Sequence, residues 1–150
     1  MKELEDILKT NSELPISKKT ILNVFITNTV LKDELQAVLK PYDLSMEQFN
    51  VLRILRGQKG NPVNLQDIQE RMVSKMSNTT RLVDKLILKQ LVERYTCKKN
   101  RRKVEIFITE KGLDLLQQLD ILIDNSETQL TNNLSNTELE QLNHLLNKLR

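Results

Sequence analysis

Residues 97–103 read Cys-Lys-Lys-Asn-Arg-Arg-Lys, so that Lys98, Lys99, Arg101, Arg102 and Lys103 surround one Asn100. Five cations within six residues attract a polyanion and do not by themselves catalyse anything. A second group lies upstream. Lys75, Asn78, Arg81, Lys85 and Lys89 recur at spacings of three and four, which puts them on one face of a helix. Ser77, Asn78 and Thr80 add small hydrogen-bonding groups at its tip. Arg pairs with guanine and Asn with adenine through two hydrogen bonds at the edge of a base, so this is the chemistry of duplex recognition. An ordinary solvated helix face is also rich in Lys and Arg, and the helix alone does not decide between the two.

Other chemistry finds little material. His144 is the only histidine, and it falls on the polar side of the last helical pattern with Gln141 and Lys148. No His/Cys cluster has zinc-ligand spacing, no glycine loop cradles phosphate, and no nucleophile elbow is present. The expectation is no catalytic residue, no metal and no cofactor. Cys97 is the one thiol. Beside Lys98 and Lys99 it is a candidate redox centre, since neighbouring cations favour thiolate, although an incidental surface thiol is the plainer reading.

Charge is unevenly placed along the 150 residues. Residues 64–112 hold twelve Lys/Arg against six Asp/Glu, whereas residues 113–150 hold two against six. A basic middle between neutral and acidic ends reads as a polyanion-binding centre on a scaffold. Three Gly and three Pro leave little material for tight turns and favour helices. No apolar run nears the roughly 20 residues of a membrane span. The opening MKELEDILKT is too acidic for a signal peptide, and a single Cys excludes an intrachain disulfide. These features lead us to expect a cytoplasmic protein with no membrane partner.

Residues 2–9 suit one or two helical turns, with Leu4, Ile7 and Leu8 on one side. Pro15 interrupts them, and Ser17 is placed to cap the next helix. Ile21, Val24, Asn28, Leu31, Leu35, Val38 and Tyr42 then form a helical seam, widened by Leu22, Phe25, Ile26 and Val30 and ended by Pro41. Two apolar faces on one helix call for a partner chain. Ser45 and Gln48 have capping-box spacing ahead of Met46, Phe49, Leu52 and Leu55. Gly57 stops that helix. Asn64, with Asp67 three residues on, starts a two-turn helix that breaks near residues 73–74. A longer helix is predicted over 75–90, with Met76, Thr79, Leu82, Val83, Leu86 and Ile87 inward.

Two helices and a tight turn make a helix-turn-helix. The segments 91–96 and 103–109 alternate like strands, and in the second Val104, Ile106 and Ile108 share a side. The basic residues 97–102 thus become the tip of a β-hairpin, a wing placed to track phosphates and enter the minor groove. Asn100 suits a left-handed turn position there. Beyond the hairpin, Leu116, Leu119, Ile123 and Leu130 line a helix starting near Leu113. Ser135 and Glu138 form another capping box before a last helix carrying Leu139, Leu142, Leu145, Leu146 and Leu149.

From residue 17 to 150 the chain resembles the MarR family of bacterial winged helix-turn-helix transcriptional regulators. SNTTRLVDKLILKQLVER (77–94) and NRRKVEIFITEKG (100–112) carry the likeness, and SMEQFNVLRIL fits as well. The resemblance implies a mainly α fold, a winged helix-turn-helix lobe with a small β-hairpin wing. It implies one domain over 1–150, with dimerisation helices at 1–44 and 113–150 and the lobe at 45–112. It implies a homodimer on a pseudo-palindromic double-stranded operator, bound through Lys75, Ser77, Asn78, Thr80 and Arg81. Arg102 would enter the minor groove, with Arg101 beside it. The family usually has Asp where this chain has Asn100, so the wing arginine loses a charged brace here. A repressor relieved by a small apolar or aromatic effector is the expected behaviour. Phe25, Tyr42, Met46 and Phe49 would line the effector pocket, although all four also suit a plain core. Two other functions remain compatible with the residues: a winged-helix module for protein–protein contact, and a thiol-based regulator that senses oxidants through Cys97.

Overall fold

Side-chain caps decide where several helices begin. In the computed structural model, which describes residues 3–150, Ser45 and Gln48 exchange hydrogen bonds at the start of α3 (Met46–Gly57). Asn64 and Asp67 do the same for α4 (Leu65–Arg71), and Ser135 and Glu138 for α7 (Asn136–Leu149). Each box satisfies amide donors that a helix start leaves open. Thr109 caps α6 (Glu110–Thr131), which therefore begins three residues before Leu113.

Two short helical pieces precede this lobe. α1 (Leu4–Leu8) buries Leu4 and leaves Ile7 and Leu8 exposed, while Lys2 lies outside the described residues. A Glu5–Lys19 ion pair of 2.9 Å joins it to α2 (Ile16–Leu39). Ser17 does not cap α2. The helix starts one residue earlier, behind Pro15, whose fixed φ is already close to helical. Lys40–Tyr42 adds a 3-10 turn containing Pro41.

α3 is the centre of the core. Phe49, Val51, Leu52, Ile54 and Leu55 are all buried, so this helix is covered on nearly every side. Ile68 and Met72 pack on it from one side, Val83 and Leu86 of α5 (Thr79–Leu88) from another, and Leu116, Leu119 and Ile123 of α6 from a third. β1 (Val92–Thr96) and β2 (Val104–Ile108) pair antiparallel, Val92 opposite Ile108 and Thr96 opposite Val104. Ile106 is fully buried, as the alternation predicts. Val63 adds an isolated bridge to Ile106, a third backbone contact on the sheet.

α2 and α7 carry apolar side chains that the described residues leave largely uncovered. α2 buries only Leu39, and α7 buries no residue. Phe25, Ile121 and Leu145 are each about 60% exposed. Among the described residues no helix is long and apolar enough to cross a membrane.

Candidate nucleic-acid interface

The second helix of the pair is shorter than its periodicity predicts. α5 begins at Thr79 and ends at Leu88, and residues 75–78 belong to the turn before it. Three side chains hold that turn. Asn50 Oδ1 accepts the Val73 N–H at 2.9 Å. Gln69 Nε2 donates to the Lys75 carbonyl at 2.7 Å, and the Thr79 hydroxyl bonds Gln69 Oε1. Asn78 closes the helix start by accepting the Arg81 N–H at 3.0 Å. At the other end Gln90 adopts φ 62°, a left-handed stop that glycine usually supplies.

These contacts redistribute the predicted face. Thr80 and Arg81 are exposed on the first turn of α5, and Ser77 is half-buried just before it. Asn78 is exposed, and its oxygen already accepts the Arg81 N–H, so the cap fixes how this side chain is presented. Lys75 folds back, its ammonium donating to the Glu70 carbonyl. Lys89 turns away to an ion pair of 2.9 Å with Asp43, and Lys85 stays exposed on α5. Met76 is not inward: it is 96% exposed, because the chain has not yet entered the helix.

The wing meets this face from the side. Arg94 of β1 forms a 2.7 Å ion pair with Asp84 of α5, fixing hairpin to helix. Tyr95 donates to Glu93 at 2.7 Å and meets the edge of Phe107 at 6.1 Å, stiffening the hairpin's outer side. At the tip, the Cys97 N–H donates to the Lys103 carbonyl at 2.9 Å and the Lys103 N–H to the Asn100 carbonyl at 2.9 Å. Asn100 is not left-handed. Its side chain accepts the Arg102 N–H at 3.1 Å, so it shapes the turn by hydrogen bonding instead of by backbone tolerance. Lys98, Lys99, Arg101, Arg102 and Lys103 are all exposed. None of them joins an ion pair among the described residues. Cys97 is half-buried at the base of this tip.

A cleft of about 370 Å³ lies behind the turn, between α2, α3 and α6. Met46, Phe49, Met72 and Ile123 form its apolar wall, and Lys32 and Arg53 stand at its edge. The Arg53 guanidinium sits 5.7 Å from the centre of the Phe49 ring. Of the four residues named for an effector pocket, Met46 and Phe49 line this cleft. Phe25 and Tyr42 do not line it: Phe25 is exposed on α2, and Tyr42 packs against the core from the 3-10 turn. Sequence patterns place residues on faces, and the meeting of three distant helices is not among those patterns. Asn50 and Gln69 escape them for the same reason, whereas Arg53, four residues after Phe49 on α3, lies within their reach. Among the described residues no group of acidic, His or Cys side chains is placed to hold a metal.

Comparison with known proteins agrees with this geometry. The family model described as "MarR family" matches residues 44–104, from just before α3 to the first residue of β2. A crystal structure of a MarR transcription factor from Planctomyces limnophilus is 28% identical, covering 92% of this chain and 98% of its own, with a TM-score of 0.71. A cysteine-to-serine MarR variant from E. coli, complexed with operator DNA, is 23% identical over 99% of both chains, at TM-score 0.77. BpsR of Bordetella bronchiseptica, whose DNA binding is regulated by 6-hydroxynicotinic acid, is 19% identical over 92% of this chain and 97% of its own, at TM-score 0.80. The last two likenesses speak for the fold. Residues 44–104, the helix-turn-helix and the hairpin tip, thus match the MarR family model, and nearly the whole chain is similar to the Planctomyces MarR transcription factor, which supports a winged helix-turn-helix DNA-binding regulator.

Proposed function

We propose that this chain is a homodimeric repressor, acting in the cytoplasm, which binds a pseudo-palindromic operator and leaves it when a small effector binds. It is a regulator and not an enzyme. The observation that carries the reading is the pairing of two exposed basic elements. The Thr80/Arg81 end of α5 and the unpaired cations of residues 98–103 are joined by the Asp84–Arg94 ion pair. A helix end of this kind suits a major groove, and a basic hairpin tip suits the flanking phosphates and minor groove. Thr80 and Arg81 take the base edges, with Ser77, Asn78 and Lys75 supporting the helix start and the nearby phosphates. Lys98, Lys99, Arg101, Arg102 and Lys103 act from the wing.

Residues 1–44 and 113–150 form the dimer region and residues 45–112 the DNA-binding lobe. The uncovered apolar side chains of α2, α6 and α7 support this division, since a leucine-lined helix that buries nothing within its chain needs another surface. The effector is a small apolar or aromatic molecule in the cleft of Met46, Phe49, Met72 and Ile123. That cleft borders the turn leading into α5, and the regulation of BpsR by 6-hydroxynicotinic acid supports such control.

Enrichment of bound duplexes from a random pool, followed by footprinting, tests the DNA reading. Two protected half-sites about 10 bp apart are expected. A single short asymmetric patch, or no enrichment, contradicts it. Sedimentation at micromolar concentration should give a dimer, and removal of residues 134–150 a monomer or aggregate with little DNA binding.

A further inference from the structure

Met76 is the most exposed large apolar side chain among the described residues, at 96%. It sits two positions before the Asn78 cap, at the entrance to α5. Nothing among the described residues covers it, yet the backbone that carries it is well held. Gln69 fixes the carbonyl just before it, at 2.7 Å from Lys75 O, and the Ser77 N–H just after it donates to the Ser74 carbonyl at 3.3 Å. Asn50 holds the start of the turn through Val73. A flexible loop would lose much conformational freedom on docking, whereas this turn presents Met76 already ordered.

Its surroundings specify the partner. Arg81 and Thr80 are exposed on the first helical turn, with the wing cations beyond Asp84–Arg94. A polyanion meets this end of the molecule, and an apolar group there needs an apolar feature on that polyanion. Duplex DNA offers one in its major groove, the C5-methyl of thymine. A methionine thioether is long, unbranched and polarisable, and adapts readily to such a group.

We propose that Met76 is a specificity-determining residue that packs on a thymine methyl in each operator half-site. The assignment rests on the DNA-binding reading above and adds to it a base preference set outside the helix. Hydrogen-bonding side chains at Thr80 and Arg81 read polar edges, and Met76 reads the one apolar edge.

Deoxyuridine in place of thymidine removes the methyl and nothing else. The test takes the duplex enriched by the full-length dimer and replaces its thymidines singly. At one thymidine per half-site the wild-type protein should bind about fourfold more weakly, the factor for one methyl withdrawn from an apolar contact. Met76→Ala should show no penalty for the same replacement, and Met76→Leu should restore it. The position is open to solvent, so these variants keep the fold. If no thymidine responds in the wild type, or the penalty persists in Met76→Ala, the inference is wrong and the DNA-binding function stands. If the wild type enriches no duplex at all, both fall together.

Discussion

Arg56 of α3 donates from Nη1 and Nη2 to the two carboxylate oxygens of Asp120 on α6, at 2.5 and 3.1 Å. The hydrogen bond to Asp120 raises the Arg56 pKa above its ordinary value. The pair fastens the centre of the DNA-binding lobe to the helix that leaves it. Both side chains are about one-third exposed, so water and salt screen the attraction. A double-mutant cycle with Arg56→Ala and Asp120→Ala should give a coupling of about 0.5–1 kcal/mol in urea unfolding, shrinking at high salt. A coupling of zero at low salt would show the contact to be decorative.

Asn78 separates capping from reading. Asn78→Ala should destabilise the protein by about 1 kcal/mol, because the Arg81 N–H loses its acceptor. Asn78→Ser keeps a capping oxygen and should retain most of the stability and the operator affinity. If Asn78→Ser loses base preference as fully as Asn78→Ala, the side chain reads DNA directly.

Gly112 explains the glycine that ends the Thr-Glu-Lys-Gly run. A Cβ there would lie 2.5 Å from the Leu91 carbonyl oxygen and 2.7 Å from Ile108 Cγ1. The first of these is backbone and cannot rotate away. Gly112→Ala should therefore cost about 1–3 kcal/mol, visible as a lower unfolding midpoint. An unchanged midpoint would mean that α6 does not enter against Leu91 as described.

Glu138 makes the last helix sensitive to acid. The Ser135 backbone N–H and hydroxyl hold its carboxyl below the ordinary 4.5. A lowered pKa in the folded state contributes stability above the unfolded value, and that contribution is lost as pH falls through the folded one. Helicity by circular dichroism should decline more between about pH 5 and about pH 3 in the wild type than in Glu138→Gln. Equal declines would show that the cap does not titrate.

Much of this molecule is legible from local chemistry. The capping boxes of α3 and α7 and the Asn64 cap of α4 appear in the sequence because partners three residues apart suffice to define them. The hairpin appears because Val104, Ile106 and Ile108 alternate. The entrance to α5 does not, since Lys75 and Met76 fit the helical spacing equally well. What keeps them out of the helix is tertiary: Asn50 from α3 and Gln69 from α4 claim the turn. The far end is blurred too, because Gln90 takes a left-handed stop without the glycine that announces one. The cleft is half legible. Met46, Phe49 and Arg53 belong to it by sitting on α3, while Met72 and Ile123 join them only through packing.

The central claim is that α5 and the wing read DNA by different physics, and binding isotherms on enriched and scrambled duplexes at several salt concentrations test it most directly. Arg81→Ala should cost about 1–3 kcal/mol on the enriched duplex and much less on the scrambled one. Arg101→Ala and Arg102→Ala should each weaken both duplexes by comparable factors and flatten the salt slope by about one. If both wing variants leave the affinities and the slope untouched, residues 97–103 are only a solvated turn, and the account of their charge is contradicted.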